Sequence, residues 1–301
     1  MSGGMAFFDG FTLDQIDTGE AMIRVRHGGD GPPVVLLHGH PRTHTTWHRV
    51  APLLAERHTV VCPDLRGYGG SSAPPTTPDH EPYSKRAMAR DVVALMRALG
   101  HERFAVAGHD RGGRVAYRMA LDDPGAVTRL AVLDIVPTGE IWRGADALFA
   151  LGYWHWGFLA QPAPLPERLI LGDPGVFWIA IERMGIKSGD DRYPAEVVEA
   201  YRAQLADPAA VEAMCEDYRA GATIDRAFDD ADRGRRTIGC PVRALWGGAG
   251  ALPLFYDDPL ELWRPYAPRV TGRAVEGASH FLVEDAPGEV AADLGGFFGE
   301  P

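Results

Sequence analysis

The sequence predicts an α/β fold, with a mostly parallel central sheet flanked by helices and one inserted helical cap. Three observations predict it. In the first part of the chain, short apolar runs of strand length alternate with stretches of helical periodicity, the pattern of successive βαβ units. That alternation stops near residue 138. From Thr138 to about Ile238 the chain is rich in tryptophan, proline and helical patches, without clear strands. The strand pattern resumes at Pro241-Val242-Arg243-Ala244-Leu245-Trp246-Gly247. The expected organisation is a core in two parts, residues 1–137 and 239–301, with a helical cap over 138–238 between them.

The first strand-like runs are Met22-Ile23-Arg24-Val25-Arg26 and Val34-Val35-Leu36-Leu37, joined by a Gly/Pro-rich connection over 28–33. The second run ends at His38-Gly39-His40-Pro41. Thr45 to Arg57 reads as one helix and Thr59 to Pro63 as a strand, after which Asp64 to Ser71 turns the chain. Ser84 to Leu99 carries apolar residues at helical spacing and stops at Gly100, a residue suited to the left-handed C-terminal cap. Phe104 to Ala107 is strand-like, Val115 to Leu121 helix-like and Leu130 to Ile135 a buried strand. A last strand is expected near Arg273-Ala274-Val275-Glu276.

The bulk composition excludes several functions. The chain has 301 residues, enough for one large domain with an insertion. Hydrophobic residues at 46% and charged residues at 24% are ordinary for a globular protein. A formal net charge of −11 argues against nucleic acid as a partner, because phosphate binding needs a basic surface. No apolar run approaches the ~20 residues that span a bilayer. Met1 to Gly10 lacks a basic segment followed by an apolar one, so no signal peptide is read and a cytoplasmic location is expected. Cys62, Cys215 and Cys240 match no zinc or redox spacing and suggest buried thiols in a reducing compartment.

The chemistry concentrates at Val106-Ala107-Gly108-His109-Asp110-Arg111-Gly112-Gly113-Arg114. A strand, a glycine-flanked turn and a helix form a nucleophile elbow, G-x-Nuc-x-G, which lifts its central side chain clear of the sheet. Here that side chain is a carboxylate, Asp110. A serine would suggest acyl transfer; a carboxylate instead displaces a leaving group from saturated carbon and forms an alkyl ester. The bland alternative is a turn aspartate held by local hydrogen bonds, but the glycines on both flanks and the preceding strand favour the nucleophile. His280 lies 170 residues downstream (280 − 110) in a small-residue turn, the position of the base in the chain order nucleophile, acid, histidine. An imidazole in that position is a suitable general base to take a proton from water. The turn after the strand Val242–Trp246 holds no carboxylate until Asp257. Asp134, at the end of the preceding strand, and Asp257 are the two candidates for the acid, whose role is to orient His280. Arg111 and Arg114 put a local positive site inside an acidic protein, suited to a small anionic ligand.

Together these marks resemble the α/β-hydrolase superfamily and, within it, the haloacetate (fluoroacetate) dehalogenases. The resemblance covers nearly the whole chain and rests on His38-Gly39-His40-Pro41, Asp64-Leu65-Arg66-Gly67-Tyr68-Gly69, Gly108-His109-Asp110-Arg111-Gly112, Tyr153-Trp154-His155-Trp156 and Gly277-Ala278-Ser279-His280-Phe281. It implies that Arg111 and Arg114 clamp a substrate carboxylate, and that His155, Trp156 and Tyr218 cradle the departing halide. It also implies an oxyanion hole from the backbone N–H groups of His40 and Arg111, and Asp134 as the acid. The family usually has phenylalanine where this chain has His40, so a more polar pocket entrance is expected. His109, Ile141 and Gly185 are expected in the pocket wall. The family commonly places tyrosine at the position of Ile141 and tryptophan at that of Gly185, so a roomier pocket for larger 2-haloacids is expected.

Epoxide hydrolases and haloalkane dehalogenases usually carry tryptophan directly after the nucleophile, where this chain has Arg111. An epoxide hydrolase using the same Asp110 ester remains the alternative, with Tyr153, Tyr193, Tyr201 and Tyr218 as candidates to polarise the epoxide. A non-catalytic ligand-binding member of the fold is disfavoured by the complete triad. Histidines 38, 40, 44 and 48 lack a metalloprotease motif, and no metal or cofactor is expected. The expected substrate is a small 2-haloacid, and a homodimer is expected because relatives of this kind are often dimeric.

Overall fold

The computed structural model describes residues 7–186 and 188–300. Residues 1–6, on which part of the signal-peptide reading rests, lie outside the described residues. An eight-stranded sheet runs through the molecule: β1 (Thr12–Asp17), β2 (Met22–Gly28), β3 (Pro33–Leu37), β4 (Thr59–Pro63), β5 (Phe104–His109), β6 (Val127–Leu133), β7 (Val242–Gly247) and β8 (Thr271–Val275). Their spatial order is β1-β2-β4-β3-β5-β6-β7-β8. β1 and β2 are antiparallel to their neighbours; from β4 to β8 every pairing is parallel.

The central strands read as continuous apolar runs because helices cover both faces of the sheet. One face packs Val35, Val106, Leu130 and Val132 under the helices Lys85–Ala98 and Arg111–Asp122. The other packs Val34, Leu36, Ala107, Ala131 and Leu133 under the C-terminal helix Pro287–Gly299. Ser84 caps the helix Lys85–Ala98 by accepting from the Ala87 N–H, and Gly100 follows it with φ +88°. Both ends therefore match the sequence reading.

Two elements differ from expectation. Thr45–Arg57 is not one helix but a 3-10 turn, His44–Trp47, and a short helix, Ala51–Ala55. Pro52 explains the break: it has no N–H to donate, and its ring would clash with the carbonyl four residues earlier, so it sits near the start of a new helix. β1 is an additional strand. Its side chains are almost all exposed, so it lacks the apolar run or alternation that marks a strand.

Between β6 and β7 the described residues form helices and 3-10 turns only, from Thr138–Arg143 to Ile224–Asp232. This insertion has its own apolar core, built on Phe149, Trp156, Phe177, Trp178, Ile181 and Tyr201. It lies over the C-terminal ends of the parallel strands, where open α/β sheets place their ligands.

Candidate active site

Asp110 sits at the turn between β5 and the helix Arg111–Asp122 with φ 50° and ψ −119°. A non-glycine residue in that region stores roughly 1–3 kcal/mol of strain, which the close approach of strand and helix imposes. A Cβ on Gly108 would lie 2.3 Å from the Gly112 carbonyl oxygen, and one on Gly112 2.3 Å from that of His38. Only glycine on both flanks lets the elbow close. Gly39 is bare for a related reason: a Cβ there would lie 2.4 Å from Asp110 Oδ1. That clearance lets the His40 N–H donate to Asp110 Oδ1 at 2.8 Å.

The triad assembles around this carboxylate. His280 Nε2 lies 4.0 Å from Asp110 Oδ2, beyond hydrogen-bond reach. His280 Nδ1 meets Asp134 Oδ2 at 2.5 Å, and the Gly247 N–H holds the other Asp134 oxygen at 2.8 Å. Asp134 follows β6 with φ 52°. Of the two candidate acids, Asp134 therefore pairs with His280, while Asp257 is exposed. Burial opposes ionisation of Asp110, but the neighbouring His280, Arg111 and Arg114 overcome it and hold the carboxyl well below the usual range. The group stands ready as an anion.

Arg111 and Arg114 are both buried at the elbow helix. Arg111 is fixed by Asp217: Nε donates to Oδ2 at 2.9 Å, and one terminal nitrogen donates to Oδ1 and the main-chain oxygen, both at 2.7 Å. Its other terminal nitrogen has no partner. Arg114 donates to the Val136 carbonyl at 3.0 Å and Thr138 Oγ1 at 3.1 Å, and its Nε has none. The Arg111 guanidinium lies 4.1 Å from the ring centroid of Tyr218, and that of Arg114 lies 4.6 Å from that of Trp156. Trp156 Nε1 and His155 Nδ1 are also buried without partners. Burial lowers the pKa of His155 to about 3 and that of His40 to about 4, so both rings are neutral near neutral pH.

Above these groups is a cavity of about 520 Å³. Asp110, His280 and His40 reach it from the sheet side, and Tyr153, His155 and Tyr218 from the insertion. Leu151, Ala180, Ile181, Met184 and Leu254 give it an apolar flank.

The three residues expected in the wall lie elsewhere. His109 is wholly buried beneath the site, bonded to Arg42 and to the His280 carbonyl. Ile141 is buried in the insertion's core. Gly185 has φ +134°, and a Cβ there would lie 2.9 Å from the Phe281 ring. Phe281, which lines the cavity, thus occupies the space that the missing bulk at Gly185 was expected to open. Of the candidate tyrosines, Tyr153 and Tyr218 line the cavity, and Tyr193 and Tyr201 do not.

Asp217 was not found by sequence reasoning. It is wholly buried, ion-paired with Lys85, and accepts from Tyr68 at 2.8 Å as well as holding Arg111. Its position directly before Tyr218 was the one available signal. Three of the four first-loop histidines have separate partners, His38 with Gly39 and Leu65, His44 with Asp64 and His48 with Thr45, while both ring nitrogens of His40 have none.

A carboxylate on a strand–helix elbow, facing an acid-supported histidine across a covered cavity, defines a hydrolase-type site of the α/β class. The comparisons agree. The sequence profile of the α/β hydrolase fold matches residues 32–168. A fluoroacetate dehalogenase from Burkholderia sp. is 46% identical, over 97% of this chain and 95% of that protein. A soluble epoxide hydrolase from Corynebacterium sp. (strain C12) is 32% identical, over 86% of this chain and 87% of that one. The crystal structure of ALR0039 from Nostoc sp. PCC 7120 superposes with a TM-score of 0.93 at 45% identity, covering 98% of this chain and 100% of that one. This chain belongs to the α/β-hydrolase superfamily and is related to fluoroacetate dehalogenase and epoxide hydrolases.

Proposed function

We propose that the protein is a hydrolytic dehalogenase of 2-haloacids, without a cofactor. The observation that carries this reading is the group of buried, unpartnered nitrogens on the elbow helix and the insertion packed over it: the free Arg111 nitrogen, Arg114 Nε, Trp156 Nε1 and His155 Nδ1. Unpaired buried polar groups are costly, and this set matches an anionic substrate carboxylate on the arginines and a departing halide on the cap donors. The two arginines also offset the repulsion between an anionic substrate and an anionic nucleophile.

In the first step Asp110 attacks the α-carbon, an ester C–O bond forms, and halide leaves with the C–X electron pair toward His155, Trp156 and Tyr218. Asp110 Oδ2 is the attacking atom, because Oδ1 is held by the His40 N–H. Donors at the halide stabilise charge only as it develops. In the second step His280, oriented by Asp134, takes a proton from water as it adds to the Asp110 carboxyl carbon. The negative charge builds on Oδ1, in the hole formed by the His40 and Arg111 N–H groups. Collapse returns the proton to the leaving alkoxide, so that haloacid and water give 2-hydroxyacid, halide and a proton. The size of the cavity and its apolar flank support 2-haloacids larger than haloacetate. Comparing kcat/KM for haloacetates and 2-halo-2-phenylacetates tests that extension, which complete exclusion of the larger acids would defeat.

One observation favours a second reading, an epoxide hydrolase: Tyr153 and Tyr218 both line the cavity, and burial raises both pKa values, keeping them proton donors. Halide release from fluoroacetate and chloroacetate, for wild type beside Asp110→Ala, separates the readings. Release that vanishes in the variant supports the dehalogenase. No halide from either acid, with diol formed from an epoxide, replaces it with the second reading.

We propose a homodimer as the working form. Leu165, Leu169, Val176 and Ile179 of the insertion are exposed, and Leu169 and Val176 flank one surface hollow with Phe158. Sedimentation equilibrium at the monomer mass would defeat this.

A further inference from the structure

His280 is held from below by a buried chain of side chains that does not line the cavity. Glu284 and Arg42 form an ion pair at 2.9 Å, with both side chains fully buried. Thr46 ties into it, donating to Glu284 Oε1 at 2.6 Å. Arg42 in turn contacts His109 Nδ1, and His109 Nε2 lies 2.7 Å from the His280 carbonyl oxygen. The two imidazoles lie against each other with centroids 4.7 Å apart.

The donor inventory fixes the protons. A guanidinium has only donors, so His109 Nδ1 must accept from Arg42. A carbonyl oxygen only accepts, so His109 Nε2 must carry the hydrogen. One tautomer satisfies both contacts. The protonated ring would set a hydrogen on Nδ1 against the arginine, and burial together with the Arg42 charge holds the His109 pKa well below its usual value.

We infer that His109 is a positioning residue: by accepting from Arg42 and donating to the His280 carbonyl, it fixes the backbone of the base for ester hydrolysis. The inference rests on the proposed two-step ester mechanism, in which His280 acts only in the second step. It follows that loosening His109 slows hydrolysis while leaving carbon–halide cleavage intact. A merely structural role would lower both steps together.

Single-turnover kinetics with chloroacetate test this, following chloride, glycolate and the mass of the alkyl-enzyme. His109→Asn is too short to span Arg42 and the His280 carbonyl, whereas His109→Gln places an amide N–H near the lost Nε2–H and an oxygen toward Arg42. The expected result for His109→Asn is one equivalent of chloride at the wild-type rate, an accumulating ester and hydrolysis slowed about 10- to 100-fold. His109→Gln should recover most of the hydrolysis rate. Chloride release falling in parallel with hydrolysis, or a glutamine variant as impaired as the asparagine one, overturns the inference. Nitrogen-15 NMR of the wild-type imidazoles reads the tautomer without substrate or variant, and a proton on His109 Nδ1 overturns it directly. Absence of chloride from wild type would instead defeat the dehalogenase reading and leave the NMR result to decide the tautomer.

Discussion

At the residue scale, the site is organised by what each polar group is denied as much as by what it touches. Arg111 spends two nitrogens on Asp217 and keeps the third without a partner. Asp217 remains ionised although buried, because Arg111 and Lys85 hold its carboxyl far below the usual range against the cost of burial. Replacing it with asparagine leaves the shape but removes the charge that fixes the guanidinium. Asp217→Asn should raise KM for a haloacid by about 10- to 100-fold, the equivalent of one charged hydrogen bond, with a smaller change in kcat. Steady-state kinetics with chloroacetate check this, and an unchanged KM would remove Asp217 from substrate binding. Asp217 also shows where sequence reading stops. The roles proposed for Asp110 and His280 could be read from sequence, because the elbow is a local pattern and the chain order puts a histidine after the last strand. Asp217 reaches Arg111 across 106 positions, through a helix packed on the elbow, and no local pattern encodes that contact. His109 was misread for a similar reason: its neighbours in sequence belong to the site, but its ring points toward Arg42.

At the element scale, the loop carrying His280 is anchored by two consecutive carboxylates that face opposite ways. Glu284 binds Arg42 of the core. Asp285 accepts from the Ser279 N–H at 2.8 Å and the Ser279 hydroxyl at 2.6 Å, and its other oxygen pairs with Arg192 of the insertion. Arg192 is braced in turn by Asp190. The insertion thus reaches the residue directly before His280. Arg192→Ala should lower kcat by about 2- to 5-fold, the scale of a partly exposed ion pair, and should speed hydrogen exchange at the Ser279 amide. Unchanged exchange there would break the link between insertion and loop. The elements themselves were legible wherever burial imposed a pattern: Val34–Leu37, Phe104–Ala107 and Leu130–Leu133 are continuous apolar runs because both faces are covered. β1 was not legible because almost nothing on it is buried, and the split near Pro52 was missed because the apolar spacing on its two sides runs on without a gap.

At the scale of the whole molecule, the buried histidines set the response to acid. Burial lowers His38 and His40 to about 4 and His155 to about 3, from an ordinary value of 6.5, and holds His109 well below that value too. In the unfolded chain these rings take up protons as pH falls through 6.5, whereas in the folded protein they do not. Their contribution is therefore complete above pH 6.5 and is lost progressively as pH falls toward 4. Asp229 runs the other way. Burial pushes its carboxyl up to about 6 from 3.8, so between those values the folded state binds a proton that the unfolded state does not, and stability rises as pH falls. Each proton is worth about 1.4 kcal/mol per pH unit. Three or four histidines against one carboxyl leave a net loss of roughly 3–4 kcal/mol per pH unit below pH 6. Against a total stability of about 5–15 kcal/mol, that slope removes a large part of it between pH 6 and pH 4. Urea unfolding at pH 8, 7, 6 and 5 should show a plateau followed by a steep fall. In Asp229→Asn the opposing contribution is gone, so the fall between pH 6 and 5 should be steeper than in wild type. A stability that stays level down to pH 4.5 would mean that the histidines of the site take up protons without leaving the fold.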